Sequence, residues 1–209
     1  MRAAVRFPLL SALVGIAAFL VGGCAKPTPI QPLIDAAYNG DVVKCEQLIK
    51  SGIPIDSTDE EGDTALDWAI YGHQIDVVRK LIEMGADVNH ADRPSGYQSG
   101  YTPLMYTAKA LRGRKLQDPE TMAVRNEIAR LLIQHGADVN RATKLGSEDK
   151  GGETALHFAV KNQNPQLIRI LLAAGADKNA KNDQGYTPLD YAKFPDFANT
   201  EVINVLEGK

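Results

Sequence analysis

Two short words recur along this chain in a fixed order, and no other feature of the sequence limits its fold so tightly. Gly85-Ala86-Asp87-Val88-Asn89 returns as Gly136-Ala137-Asp138-Val139-Asn140 and as Gly175-Ala176-Asp177-Lys178-Asn179, with a weaker copy at Gly52-Ile53-Pro54-Ile55-Asp56. A second word precedes each strong copy, as Thr64-Ala65-Leu66, Thr102-Pro103-Leu104 and Thr154-Ala155-Leu156, and it returns once more as Thr187-Pro188-Leu189. From Thr to Gly is 21 residues in two of the copies. Self-similar units of this size cannot bury a core alone, so they must stack on one another.

The chemistry of both words is structural. Thr caps a helix N-terminus, Pro fits the first helical turn where no backbone donor is needed, and Gly just past an apolar helix supplies a left-handed end. Between the words, Ile75, Val78, Leu81 and Ile82 fall on one stripe of an amphipathic helix, with Leu167, Ile168, Leu171 and Leu172 as the counterpart. The segment from Gly-Ala-Asp to the next Thr is polar turn material. Each unit therefore reads as helix, turn, helix and projecting loop.

These words resemble the ankyrin repeat family, whose signatures run Gly-x-Thr-Pro-Leu-His-x-Ala and Leu-Leu-x-x-Gly-Ala-Asp-x-Asn. The resemblance implies an all-α solenoid of about five helix-turn-helix repeats with projecting loops, starting near Leu33, its first and last units degenerate as caps. Departures from the family's period of 33 place three insertions. Gly85 to Thr102 is 17 residues and Gly136 to Thr154 is 18, against 12 for Gly52 to Thr64, so two loops are longer, near 93–100 and 143–151. Thr102 to Gly136 is 34 residues against 21, which puts the third insertion inside the third helix pair. Asp118-Pro119-Glu120 reads there as an N-cap followed by a first-turn proline, so both helices of that pair are expected to lengthen.

The N-terminus has its own logic. Arg2 and Arg6 precede an apolar run from Phe7 to Val21, which ends in Val21-Gly22-Gly23-Cys24. A membrane-spanning helix wants about 20 apolar residues, and this run meets two glycines, a cysteine, Lys26, Pro27 and Pro29 instead. The pattern resembles a bacterial lipoprotein signal peptide. It implies a signal over 1–23, an acylated Cys24 opening a proline-rich tether over 24–32, and an ankyrin-repeat domain over 33–209. Ala25, rather than Asp, after the cysteine is similar to lipoproteins sorted to the outer membrane, with the body in the periplasm. Removing 23 residues from 209 leaves 186, and losing Arg2 and Arg6 takes the formal charge from −3 to −5. Cys45 is then the one remaining thiol, so no intramolecular disulfide is expected.

Charge and motifs narrow the function. A formal charge of −3 offers no general field for nucleic acid, so none is expected as a partner. The chain has no His-Glu-x-x-His, Gly-x-Ser-x-Gly, Cys-x-x-Cys or phosphate-binding Gly-rich loop, and neither a catalytic residue, a cofactor nor a metal site is expected. By the resemblance, His157 hydrogen-bonds within its repeat and His73 replaces the glycine of the turn between helices. His135 precedes a helix-ending glycine, and His90 lies on a loop. Cys45 aligns with Val78, Ala129 and Ile168 and reads as a buried small hydrophobe. Trp68, Tyr106, Phe158 and Tyr191 share one repeat position and read as an aromatic ladder between stacked repeats. Glu60, Glu61 and Asp63 read as a solvated turn.

Positions outside both words carry the individual character of the chain. By analogy with the family, Tyr38, Tyr71, Lys109, Lys161 and Phe194 face the concave groove. The residue before each Thr is Asp63, Tyr101, Glu153 or Tyr186, and Tyr97 lies nearby; tyrosine is enriched at binding surfaces because it covers much area with few torsions. Lys109, Arg112, Arg114 and Lys115 concentrate positive charge that could pair with an acidic partner surface. The expected binding set is therefore Tyr38, Tyr71, Tyr97, Tyr101, Lys109, Arg112, Arg114, Lys115, Lys161 and Tyr186. The expected function is a non-catalytic, lipid-anchored periplasmic protein, monomeric without its partner, that binds and neutralises a secreted enzyme or effector. The alternatives are an envelope scaffold or protective partner of a resident enzyme and, from another class, an enzyme with a site in the long loops.

Overall fold

The computed structural model describes residues 30–91, 100–109, 118–144 and 151–209. Ten helices appear among the described residues: α1 (Gln31–Asn39), α2 (Val42–Lys50), α3 (Ala65–Tyr71), α4 (Ile75–Glu83), α5 (Pro103–Ala108), α6 (Pro119–Gln134), α7 (Ala155–Lys161), α8 (Pro165–Ala173), α9 (Pro188–Lys193) and α10 (Thr200–Glu207). Each odd-numbered helix packs on its even-numbered partner and on the next odd helix, while the even helices stack among themselves. The result is two helical layers in five pairs, as the repeat words predict. Beyond them the described residues show two isolated antiparallel bridges, Thr58 with Thr64 and Ala142 with Thr154, which close the bases of two loops.

Thr64, Thr102, Thr154 and Thr187 each stand at a helix N-cap in extended backbone. The Thr64 hydroxyl accepts the Asp67 amide at 3.3 Å, and the Asp67 carboxylate accepts the Thr64 amide at 2.9 Å, so two donors left over at the helix start are satisfied. Thr187 and Asp190 repeat this arrangement. At α7 a histidine takes the acid's place. His157 Nδ1 accepts the Thr154 amide at 3.2 Å, so its hydrogen sits on Nε2, which donates to the Tyr186 carbonyl at 3.2 Å in the next repeat.

The glycine word ends the outer helices. Gly52, Gly85, Gly136 and Gly175 take φ of 108°, 93°, 88° and 89°, the left-handed region. The Asn that closes the word ties units together. Asn89 donates through Nδ2 to the Gly136 carbonyl at 3.0 Å and accepts the Asp138 amide at 2.7 Å. Asn140 does the same to Gly175 and Asp177, at 3.1 and 2.8 Å.

The core lies between the two layers. Leu66, Leu81, Leu104, Leu132, Leu156 and Leu171 are all buried, as are Cys45, Val78, Ala129 and Ile168 at their shared position. Burial and the nearby Asp41 push the Cys45 thiol up to about 11, so it stays protonated and inert near neutrality.

Two expectations are corrected. α1 begins at Gln31, so the last two residues read as tether belong to the first helix, with Pro32 in its first turn. In the third pair the inner helix does not lengthen: α5 has 6 residues, and the insertion enters α6, which has 16 against 9 in α4 and α8. Asp118 caps α6 by accepting the Thr121 amide at 2.9 Å and starts that helix early, whereas Lys109 leaves α5 in extended backbone.

Candidate protein-interaction face

Aromatic side chains line the inner helices from end to end. Ring centres follow one another from Tyr38 to Trp68 (6.1 Å), Tyr71 (5.4 Å), Tyr106 (4.8 Å), Tyr101 (5.6 Å) and Phe158 (5.5 Å). A second cluster joins Tyr191 to Tyr186, Phe194 and Phe197 at 5.9, 5.4 and 6.1 Å. The Lys161 ammonium bridges the two, 5.5 Å from the Phe158 ring and 4.6 Å from that of Tyr191. Edge-on and tilted contacts of this kind add to area burial. The ladder position is thus a packed interface between repeats.

The expected binding residues divide into three groups. Tyr38, Tyr71 and Lys161 are partly buried at the ends of inner helices, Lys109 is partly buried just past the end of α5, and Tyr186 stands 37% exposed on the last loop. Tyr101 is corrected. It is 1% exposed, stacked on Tyr106 and Phe158 with the Lys109 ammonium 3.8 Å from its ring centre, so it belongs to the inter-repeat core. Tyr97, Arg112, Arg114, Lys115 and the acylation candidate Cys24 lie outside the described residues.

The residue before each Thr explains why Tyr101 turns inward. Asp63, read as solvated, is buried and accepts the Tyr106 hydroxyl of the next repeat at 2.8 Å. Glu153 is buried likewise and accepts the Tyr191 hydroxyl at 2.8 Å and Asn182 Nδ2 at 2.9 Å, while its other oxygen pairs with Lys161 at 2.7 Å. Where the next ladder residue is Phe158, which has no hydroxyl, a buried carboxylate would lack that donor, and Tyr101 packs ring on ring instead. Acid faces Tyr and aromatic faces Phe. This pairing is written in the sequence and is visible once the Thr words are aligned.

Arg125 is a second feature that motif reading missed. Buried on α6, it donates from Nε to His73 Nε2 at 2.9 Å and from Nη1 to the Lys109 carbonyl at 2.8 Å. His73 itself holds φ of 58°, at the place where the first repeat has Gly40 (φ 83°) and the fourth has Gln163 (φ 52°). The lengthened α6 thereby fixes a turn of the second repeat. Beside it, a cleft with room for about one water is lined by Thr107, Ala108, Met122, Arg125, Asn162 and Asn164. It is too small for a substrate.

His157 is buried, and that burial holds its imidazole below the usual histidine range, partly offset by the carboxylate of Glu153. Both ring nitrogens are engaged in the fold. No group of three His, Cys, Asp or Glu side chains is gathered to hold a metal among the described residues, and no described helix is long and apolar enough to cross a membrane.

Known proteins match at the level of this architecture. One family model, described as ankyrin repeats (3 copies), matches residues 4–92; a second, the ankyrin repeat, matches 99–144; a third, ankyrin repeats (many copies), matches 132–192. Similar curated proteins include the B-cell lymphoma 3 protein homolog of Mus musculus, 30% identical over 88% of this chain and 32% of its own length. They also include the L-asparaginase of Dirofilaria immitis, 29% identical over 78% of this chain and 29% of its own, and the mitochondrial disaggregase of Homo sapiens, 27% identical over 87% and 27%. The chain spans about a third or less of these relatives. Their names have no activity in common, and ankyrin repeats are typically non-catalytic protein-interaction modules. With five stacked helix pairs, both recurring words in their structural places and matches over most of its length, the chain belongs to the ankyrin-repeat family.

Proposed function

We propose that this is a lipid-anchored, non-catalytic ankyrin protein of the bacterial periplasm that binds and neutralises a periplasmic enzyme or effector. The observation that carries the binding part is the aromatic row on the inner helices, which continues at the last loop into Tyr186, 37% exposed, with Phe194 5.1 Å from its ring. Aromatic anchors that are rigid before binding lose little freedom on association. The anchor and the compartment rest on the run from Phe7 to Val21 that ends in Gly22-Gly23-Cys24. A neutralising protein needs no chemistry, only a surface and a position next to its target.

The test couples capture to an assay. Tagged full-length chain purified from solubilised envelopes should retain a protein, and added pure chain should lower that protein's activity in proportion to the amount bound. Unchanged or raised activity would indicate a scaffold or protective partner, and turnover by the chain alone would make it an enzyme. Cys24→Ser should release the chain from membranes or leave it unprocessed, and an unchanged mature mass and membrane fraction would refute the anchor.

A further inference from the structure

The first two repeats are sharply sided in charge. Residues 30–91 carry twelve carboxylates and four basic side chains. All four basic residues, Lys44, Lys50, Arg79 and Lys80, lie on the outer helices α2 and α4. Three carboxylates share those helices, and Glu46 there already pairs with Lys50 at 2.7 Å and Lys80 at 3.7 Å. The other nine carboxylates are on α1, α3, the turns and the loops, and of these Asp63 and Asp67 are buried and hydrogen-bonded within the fold. The outer helices are nearly neutral, while Asp35 on α1 and Glu60 and Glu61 on the first loop stand exposed on the inner side.

The same side holds the half-buried aromatics Tyr38, Trp68 and Tyr71. Asp59 accepts the Trp68 indole N–H at 2.8 Å, and from there the chain runs through the exposed Glu60 and Glu61 at the loop tip. Asp35 lies one helical turn before Tyr38 on α1 and is exposed. Carboxylates thus fringe a patch of aromatic rings. The fold shows elsewhere what that combination holds: in the fourth repeat the Lys161 ammonium sits 2.7 Å from Glu153 and 4.6 Å above the centre of the Tyr191 ring. A carboxylate beside an aromatic face binds an ammonium or guanidinium through charge and ring quadrupole together.

We propose that the inner helices and first loop of repeats one and two form the docking face for a lysine- or arginine-bearing surface of a protein partner. This deepens the protein-binding reading and rests on it. Charge of one sign on one side steers encounter, and the aromatic patch between the carboxylates supplies the contact that outlasts it.

Two variants of equal net charge test the proposal on the full chain. Glu60→Lys with Glu61→Lys alters the inner side, whereas Asp76→Lys with Glu83→Lys alters exposed positions of the outer helix α4. The probe is a short fluorescent peptide of alternating lysine, arginine and alanine, with a glutamate version as its counterpart. The first variant should slow association with the basic peptide by about tenfold or more at low salt and flatten the salt dependence, and the second should change it by less than about twofold. The neutral pair Glu60→Gln with Glu61→Gln repeats the measurement if reversal disturbs folding. Equal losses in both charge variants would mean that only net charge matters and would overturn the face, as would equal binding of the glutamate peptide. A captured protein whose binding ignores the first variant would leave protein binding intact and move the interface elsewhere; capture of no protein would remove the reading beneath it.

Discussion

At the scale of single residues, the junctions between repeats are set by which groups can satisfy one another when buried. Glu153 holds Tyr191, Asn182 and Lys161 together. Tyr191→Phe removes a donor from a buried carboxylate and should cost about 1–3 kcal/mol in urea unfolding. A cost within the scatter of surface substitutions would show that the hydroxyl is not needed there. His157 gives the stability a pH dependence of known sign. Its folded pKa is lowered from 6.5, chiefly by burial, so its contribution is complete above 6.5 and is lost as pH falls through the folded value, because the unfolded chain then binds the proton more readily. The unfolding midpoint should therefore fall on acidification below about pH 6.5 more steeply in the native chain than in His157→Asn, and parallel profiles would contradict it. Residue-scale function was the least legible in the sequence. Tyr101 reads as a binding tyrosine because it lies on the loop just before its Thr word. It is core because Phe158 across the junction has no hydroxyl to offer an acid.

At the scale of elements, the sequence is nearly transparent, because each word states a local backbone need. Thr must cap and Gly must turn left-handed, needs that do not depend on distant packing, and only the Asn reaches into the next repeat. The turn between helices shows what happens when a word is imperfect. Gln163 holds φ of 52° where the first repeat uses Gly40. Gln163→Gly should stabilise the chain by up to about 1 kcal/mol, since the left-handed strain it removes exceeds the added freedom of the unfolded glycine. Destabilisation would mean that the Gln163 side chain makes a contact worth more than the strain. The third repeat was legible only in part. Residue counts locate its insertion, but the choice between lengthening α5 or α6 turns on Asp118 and Pro119 starting a helix, and on Arg125 of that helix reaching back to His73.

At the scale of the whole molecule, stability is spread over neighbours. Among the described residues each inner helix packs mainly on the inner helices beside it and on its own partner, so cooperativity comes from junctions such as Asn89 to Gly136 and Asn140 to Gly175. Asn140→Ala removes both bonds at one junction and should lower the unfolding free energy by about 1–2 kcal/mol, with the repeats beyond that junction loosening first in hydrogen exchange. Uniform loosening of the chain would argue against nearest-neighbour coupling. The same architecture gives function its place: two layers leave an outer helical back and an inner aromatic face whose acidic end lies on the first two repeats. The most direct measurement of that claim is backbone amide hydrogen exchange of the full chain, alone and with the protein it retains from envelopes. Binding through the inner side predicts added protection over α1, α3 and the loops around 59–63 and 183–186, with α2, α4 and α8 unchanged. Protection confined to α2, α4 and α8 would place the partner on the back of the solenoid and contradict the account.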